Sequence, residues 1–245
     1  MKNTAIIIPS RLAAKRFPNK PLAKINNIPM IVYVLRAAEK SKIGEVFVAT
    51  PDEEIFQVVK KNGGKAILTK YDHTSGTERI YEAYLKQLKD KVDLIINLQG
   101  DNPLMSPNSI IKLEKLMREN KCDIGTLASK IKDEDEVLDS NIVKVEVNDV
   151  LTKNNFLGAK DFFRRKKDLK NENIYHHCGV YIFTKDALTR YVSLSRSKLE
   201  IDRNLEQMRA MENNMVIKVG LIEDVPLSVD TEEDLKKISK QVGKQ

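Results

Sequence analysis

The chain has 245 residues, 41% of them hydrophobic, and a formal charge of +7, enough to bury the core of one large α/β domain. No apolar run approaches the ~20 residues that span a bilayer, and the opening MKNTAIIIPS is too briefly apolar for an export signal. A cytoplasmic protein without membrane contact is therefore expected. Aromatic content is 6% with no tryptophan, and lysines are spread along the whole chain, so a nucleic-acid partner is not expected and polyanionic small molecules remain as ligands.

Taken in order, Ala5 to Pro9 reads as a short buried parallel strand that empties into the basic segment Ser10 to Lys20, the expected place for a ligand. Pro29 sits just inside a helix start, and Met30, Val34, Ala37 and Ala38 supply its apolar face. A strand over Gly44 to Thr50, a helix over Asp52 to Gly64 and a strand over Lys65 to Thr69 follow, and this alternation predicts a doubly wound sheet. Thr77 to Leu88 reads as helical, and Asp93 to Asp101 is the clearest buried strand, with Asp101 at its carboxyl end. Pro107 opens a helix through Glu119; strands are expected over Ile124 to Ile131 and Ile142 to Val147, around an acidic turn over Lys132 to Asp139. Beyond this the regularity weakens. Phe156 to Asn173 is basic with interspersed aromatics, Cys178 to Phe183 reads as a strand, Leu199 to Glu212 as one charged helix, Val216 to Leu221 as the last strand and Thr231 to Val242 as the terminal helix. The two cysteines, Cys122 and Cys178, form no CxxC or Cys/His cluster and read as reduced core residues.

Three groups of residues can carry chemistry. Arg11, Arg16 and Lys20, in a loop stiffened by Pro18 and Pro21, can neutralise a triphosphate, or form a solvated basic loop. Neither GxGxxG nor GxxxxGK[ST] occurs. Asp101, in Gln99-Gly100-Asp101, and Asp230, in Val229-Asp230-Thr231, are carboxylates suited to a hard cation such as Mg²⁺; a turn and a helix start are the alternatives. Asp72 to Arg79 runs into a helix N-terminus, where its backbone donors can read a base edge or Ser75 and Glu78 can simply cap the helix.

The order of six motifs, PSRLAAKRFPNKPL, DHTSGTER, NLQGDNP, HHCGVY, LEIDRNLEQMR and SVDTEEDL, resembles CMP-Kdo synthetases, the 3-deoxy-manno-octulosonate cytidylyltransferases, from end to end. The resemblance implies an α/β, Rossmann-like nucleotidyltransferase fold with a mostly parallel central sheet, in a single domain over 1–245 with a smaller dimerisation excursion at about 132–200. It implies a magnesium-dependent homodimer that transfers CMP from CTP to an acidic 2-keto sugar, 3-deoxy-manno-octulosonate or a close analogue, for bacterial lipopolysaccharide or surface glycan synthesis. An amino-substituted Kdo or a nonulosonic acid is the alternative acceptor, and a catalytically inactive nucleotide-binding relative the alternative protein. By position, Arg11, Arg16 and Lys20 become triphosphate ligands, Ser75 and Gly76 lie near the cytosine, Asp101 and Asp230 are magnesium ligands, and Lys20 joins them as catalytic. Gln99, His177, Tyr181, Glu206 and Gln207 line the sugar pocket, with Lys153 matching an arginine that meets the sugar acid.

The chain departs from the family pattern in several places. Ala14-Lys15 stands for Ser-Thr, Asn19 for glycine, Asn102 for a glutamate beside Asp101, and Arg203 for a glutamate. Thr152 to Leu157 replaces SRxPIP, so that a lysine point charge stands where a planar guanidinium is usual.

Overall fold

Six consecutive buried residues, Thr4–Pro9, form strand β1, as their unbroken β-branched and apolar character predicts. The computed structural model describes residues 3–13, 17–165 and 173–242, the side chain of Glu134 apart. It falls into two units, Met1–Ile111 with Pro226–Gln245, and Lys112–Val225.

In the first unit β1 is followed by a 3-10 turn (Lys20–Leu22) and a small hairpin, β2 (Lys24–Ile25) and β3 (Ile28–Pro29). The hairpin turns on Asn26 and Asn27, both at positive φ, the conformation its two-residue loop demands. Helix α1 (Met30–Lys40), β4 (Gly44–Thr50), α2 (Glu53–Lys61), β5 (Lys65–Leu68), α3 (Gly76–Gln87), β6 (Leu94–Leu98) and the start of α4 (Pro107–Glu119) complete its N-terminal part. The strands lie in the order β5-β4-β1-β6 and every pairing among them is parallel. That arrangement collects the carboxyl ends of β1 and β6, and the loops that leave them, on one edge.

The second unit contains β7 (Ile124–Lys130), α5 (Glu134–Leu138), β8 (Lys144–Val147), β9 (Phe156–Phe163), β10 (Ile174–Thr184), α6 (Lys185–Ser193), α7 (Lys198–Arg203), α8 (Gln207–Glu212) and β11 (Ile217–Leu221). Its pairings are mixed: β7 and β11 are parallel, whereas β10 with β7, β11 with β9, β8 with β9 and β8 with β10 are antiparallel. The parallel arrangement expected for the sheet thus describes the first unit, and the second runs in both directions. Helix α9 (Glu232–Val242) belongs to the first unit, where Ile238 joins Ile25, Met30 and Val229 in one buried cluster.

Several elements differ from the sequence reading. The charged stretch Leu199 to Glu212 is two helices, because Asn204 takes a left-handed conformation (φ 52°) and ends α7. The acidic turn after β7 contains α5, capped by Asp133, whose side chain accepts from the Glu136 amide. The first half of the basic, aromatic segment is strand β9; its part at 166–172 lies outside the described residues. Strand β10 begins earlier, and α6, capped by Thr184, follows directly. Lys144 is fully buried in β8, and its ammonium donates to the carbonyls of Asp139, Ile142 and Arg164, which satisfies the charge without a carboxylate. Among the described residues no helix is long and apolar enough to cross a membrane.

Candidate active site

In the first unit, the loop that leaves β1 returns through Asn19 (φ 58°) to place Lys20 at the start of the 3-10 turn. Its Nζ donates to Asp101 Oδ2 at 3.0 Å and to the Val229 carbonyl at 2.6 Å, and lies 3.7 Å from Asp230 Oδ1. The structure therefore brings together three residues that are distant in sequence: Lys20, Asp101 and Asp230. Lys20 is 14% exposed at its side chain and the carboxylates 32% and 35%, so the acids still face water on one side. Asp101 sits in a turn after β6 closed by the Asn102 amide on the Gln99 carbonyl.

The alternative role for Asp230, starting α9, is filled by its neighbour. Thr231 Oγ1 accepts from the Asp234 amide at 3.2 Å while Asp234 Oδ2 accepts from the Thr231 amide at 2.9 Å, a reciprocal cap. Ser75 goes the other way: its Oγ accepts from the Glu78 amide at 3.1 Å and caps α3. Gly76 and Gly100 both lie against the end of β1. A Cβ on Gly100 would stand 2.8 Å from the Pro9 carbonyl oxygen, and one on Gly76 3.3 Å from Pro9 Cγ. The two glycines let α3 and the β6 turn close on that strand end.

Arg11 is exposed at the start of the loop, where the next amide, Leu12, donates to Asp52 Oδ2 at 2.7 Å. Arg79 is buried, with Nη1 donating to Thr69 Oγ1 at 2.6 Å and to the Lys70 carbonyl at 2.9 Å. Burial, then the positive field of Arg11, lower the Arg79 pKa against the opposing fields of Asp52, Glu82 and Asp72. Gln99 Nε2 donates to Asn97 Oδ1 at 3.1 Å, and Asn97 Nδ2 reaches Thr77 Oγ1 at 3.4 Å. Asn97 is the one polar residue in the LIINL strand, a signal in the sequence that was not used above. Arg16 lies outside the described residues.

In the second unit, β10 is bulged. Cys178 pairs with Leu127 and Tyr181 with Thr126, so two extra residues are absorbed between them. His177 and Tyr181 thereby oppose Ala128 and Thr126, two rungs apart on β7, and their rings stand on one face with centroids 5.4 Å apart. His177 Nε2 lies 3.0 Å from Thr126 Oγ1, whose single proton has two carbonyl acceptors, Val180 at 2.7 Å and Cys178 at 3.1 Å. Thr126 must then accept from Nε2–H, which leaves Nδ1 as the bare acceptor of a neutral ring. Burial, with a smaller push from His176, lowers the His177 pKa to about 3 and keeps it neutral. Burial first, and then the Glu206 carboxylate, push the Tyr181 phenol well above its ordinary value, so it stays a donor.

Glu206 is exposed immediately before α8, and Gln207, the first residue of α8, is buried. Helix α8 is anchored by Arg209, whose Nε and Nη2 donate to Glu200 Oε2 and Oε1, both at 2.8 Å, with both side chains 2% exposed. Glu200 also closes a capping box with Ser197 and accepts from Arg196 at 3.1 Å. Lys153 is exposed, with Nζ 3.3 Å from Glu223 Oε1.

The match to a family model described as cytidylyltransferase spans residues 5–221. The 3-deoxy-manno-octulosonate cytidylyltransferase of Rhodopseudomonas palustris is 43% identical over 234 residues, 95% of each chain. That of Nitrobacter winogradskyi is 41% identical over 234 residues, 95% of this chain and 91% of the relative. A solved structure described as CMP:2-keto-3-deoxy-manno-octonic acid synthetase complexed with CTP superposes with a TM-score of 0.90, at 32% identity over 99% of both chains. The chain belongs to the 3-deoxy-manno-octulosonate cytidylyltransferase family.

Seen as departures from that family's pattern, three residues have structural explanations. Asn19 adopts the left-handed conformation that glycine takes freely and asparagine takes more readily than most other residues, so the chain can turn there into Lys20. Arg203 Nη1 is paired with Asp161 Oδ1 and donates to the Phe162 carbonyl at 2.7 Å, which ties α7 to β9. In the Thr152 to Leu157 segment, Asn155 Oδ1 accepts from the Thr152 amide at 2.8 Å and Nδ2 donates to the Val150 carbonyl at 2.9 Å. Asn155 is thus spent on its own turn, while Lys153 is paired with Glu223.

Proposed function

We propose that this chain transfers CMP from CTP to the anomeric hydroxyl of 3-deoxy-manno-octulosonate and releases pyrophosphate. The observation that carries the reading is the junction of Lys20 with Asp101 and Asp230 at the carboxyl end of β6, in a chain of this family. The hydroxyl oxygen attacks the α-phosphorus in line as the bond to the β-phosphate breaks. Arg11, Arg16 and Lys20 neutralise the triphosphate, and Ser75 and Gly76 receive the cytosine at the N-terminus of α3.

Two half-exposed carboxylates fit a magnesium ion, which is commonly held by one or two carboxylates together with substrate phosphates and water. Among the described residues no group of three or more His, Cys, Asp or Glu could hold a metal, so the two carboxylates would need further donors, which substrate phosphates can supply. The chemistry supplied by bound magnesium is charge neutralisation of the phosphates and polarisation at the α-phosphorus. Asp101 and Asp230 would hold it, and Lys20 is paired with the same two carboxylates.

His177, Tyr181, Glu206 and Gln207 of the second unit recognise the sugar. The neutral His177 offers an acceptor, Tyr181 and Gln207 offer donors, and Lys153 supplies the cation for the sugar acid. Because Lys153 is a flexible point charge already paired with Glu223, an acid with a changed substituent, such as an amino-substituted Kdo or a nonulosonic acid, is the second acceptor class. The active form is a homodimer built through about 132–200, where Leu138 and Val150 are exposed apolar residues; light scattering after size exclusion reads its mass. The function is tested by pyrophosphate release with CTP, ATP or GTP against a panel of keto sugars, with and without magnesium. Equal release from ATP, or turnover without any divalent ion, contradicts the reading.

A further inference from the structure

Ser10 is the residue at which β1 ends and the basic loop begins. It is 7% exposed, and its amide donates to the Ala49 carbonyl at 2.9 Å, which holds the backbone in register with β4. Its hydroxyl, by contrast, is buried without a hydrogen-bond partner among the described residues. A buried hydroxyl left unbonded is costly, and a short strand end could carry alanine at no loss of packing. Another buried serine in the same unit follows the usual rule: Ser41 Oγ donates to the Ala38 carbonyl at 2.6 Å.

The position of the orphan suggests its use. Pro9 is hugged by Gly76 at the start of α3 and by Gly100 beside Asp101, the two places assigned to the cytosine and to the phosphates. Arg11 follows at once. Carboxyl ends of parallel strands are where open α/β sheets receive nucleotides. We propose that the Ser10 hydroxyl is a nucleotide ligand, its missing hydrogen bond being made to bound CTP. The inference rests on the cytidylyltransferase reading and adds to it a contact from the strand itself. An unbonded group is kept in the free protein so that binding gains a bond whose protein side needs no partner to be broken.

The test compares wild type, Ser10→Ala and Ser41→Ala by calorimetric titration with CTP, CMP and pyrophosphate and by thermal melting without ligand. Ser10→Ala is expected to weaken CTP binding about three- to tenfold, the range for one neutral hydrogen bond, while the ligand-free melting temperature holds or rises. Ser41→Ala should melt earlier and bind CTP as wild type does. A matching loss with CMP puts the partner atom on the nucleoside, and a matching loss with pyrophosphate puts it on the phosphates; either supports the contact. Unchanged CTP affinity in Ser10→Ala, or a lowered melting temperature of the kind expected for Ser41→Ala, overturns it. Failure of wild type itself to bind CTP overturns the nucleotide reading as well, and is distinguished by that control.

Discussion

The backbone amide of Val229 donates to the carbonyl of Asp101 at 2.9 Å, joining the turn after β6 to the irregular segment that precedes α9. Because the link runs from main chain to main chain, the neighbouring carboxylates of Asp101 and Asp230 are placed by the backbone, and Lys20 then binds both what the link has assembled.

Removing either acid should therefore spare the fold and stop the chemistry. Asp101→Ala and Asp230→Ala are each expected to lower kcat by at least about 100-fold, the scale for losing one electrostatic group at a reacting phosphate. Far-ultraviolet dichroism should be unchanged. Near-normal turnover at saturating magnesium would remove the residue from the site.

Lys20→Ala is expected to raise the KM for CTP and lower kcat together, since one cation is lost from both the ground state and the transition state. Steady-state kinetics with CTP varied measures this, and a CTP dependence identical to wild type contradicts it.

The buried pair of Arg209 and Glu200 makes a stability prediction. Truncating Arg209 leaves a buried carboxylate unpaired, so Arg209→Ala should lose about 3–5 kcal/mol in denaturant unfolding at neutral pH. Burial pushes the Glu200 carboxyl up, but hydrogen bonds from Arg209 and Arg196 outweigh it and the net shift is downward. A depressed acid stabilises above its unfolded pKa of about 4.3 and loses that contribution as pH falls through the folded value, so the deficit of the variant should shrink in acid. An unvarying deficit down to pH 3 argues against the pair as its cause.

His177 sets a second pH dependence. With its folded pKa near 3, held down first by burial and then by His176, the unfolded chain binds a proton below pH 6.5 that the folded chain refuses. Its penalty is absent above that pH and grows as pH falls toward 3. Between pH 7 and pH 5 it amounts to roughly 2 kcal/mol of lost stability. His177→Gln should remove that slope; a variant with the same slope as wild type refutes the neutral buried ring.

For the acceptor, specificity constants for Kdo, its 8-amino analogue and a nonulosonic acid are to be compared in wild type and Lys153→Ala. The expected outcome is a fall with Lys153→Ala for all three acids and tolerance of the substituted ones by wild type. A preference for Kdo by orders of magnitude that Lys153→Ala leaves untouched shows that the altered segment has no part in acceptor choice.

The first unit was largely legible in the sequence because its central strands, β1 and β6, are buried throughout and read as unbroken apolar runs. The second unit was harder. Strand β9, written FLGAKDFF, carries a lysine and an aspartate that are accommodated by Glu146 and Arg203 on other elements. The break at Asn204 depends on one left-handed residue in a stretch whose composition suits a continuous helix. Among site residues, motif order pointed to Lys20, Asp101 and Asp230, but their meeting at one ammonium, the Thr126 contact that sets the His177 tautomer, and the orphan hydroxyl of Ser10 arise only from long-range contacts or their lack. Local spacing carries no trace of these.

The bulge in β10 works as a length gauge. Two residues, Gly179 and Val180, are taken up between Cys178 and Tyr181 against a single step of β7. Deleting one of them would shift every later residue of the strand by one place and turn Tyr181 to the opposite face, away from His177. Deleting both would keep the facing but remove the Val180 carbonyl, the nearer of the two acceptors of the Thr126 hydroxyl. The chain can vary its side chains here, but its residue count between His177 and Tyr181 is constrained by geometry, so insertions and deletions that surface loops absorb freely have no neutral route through this strand.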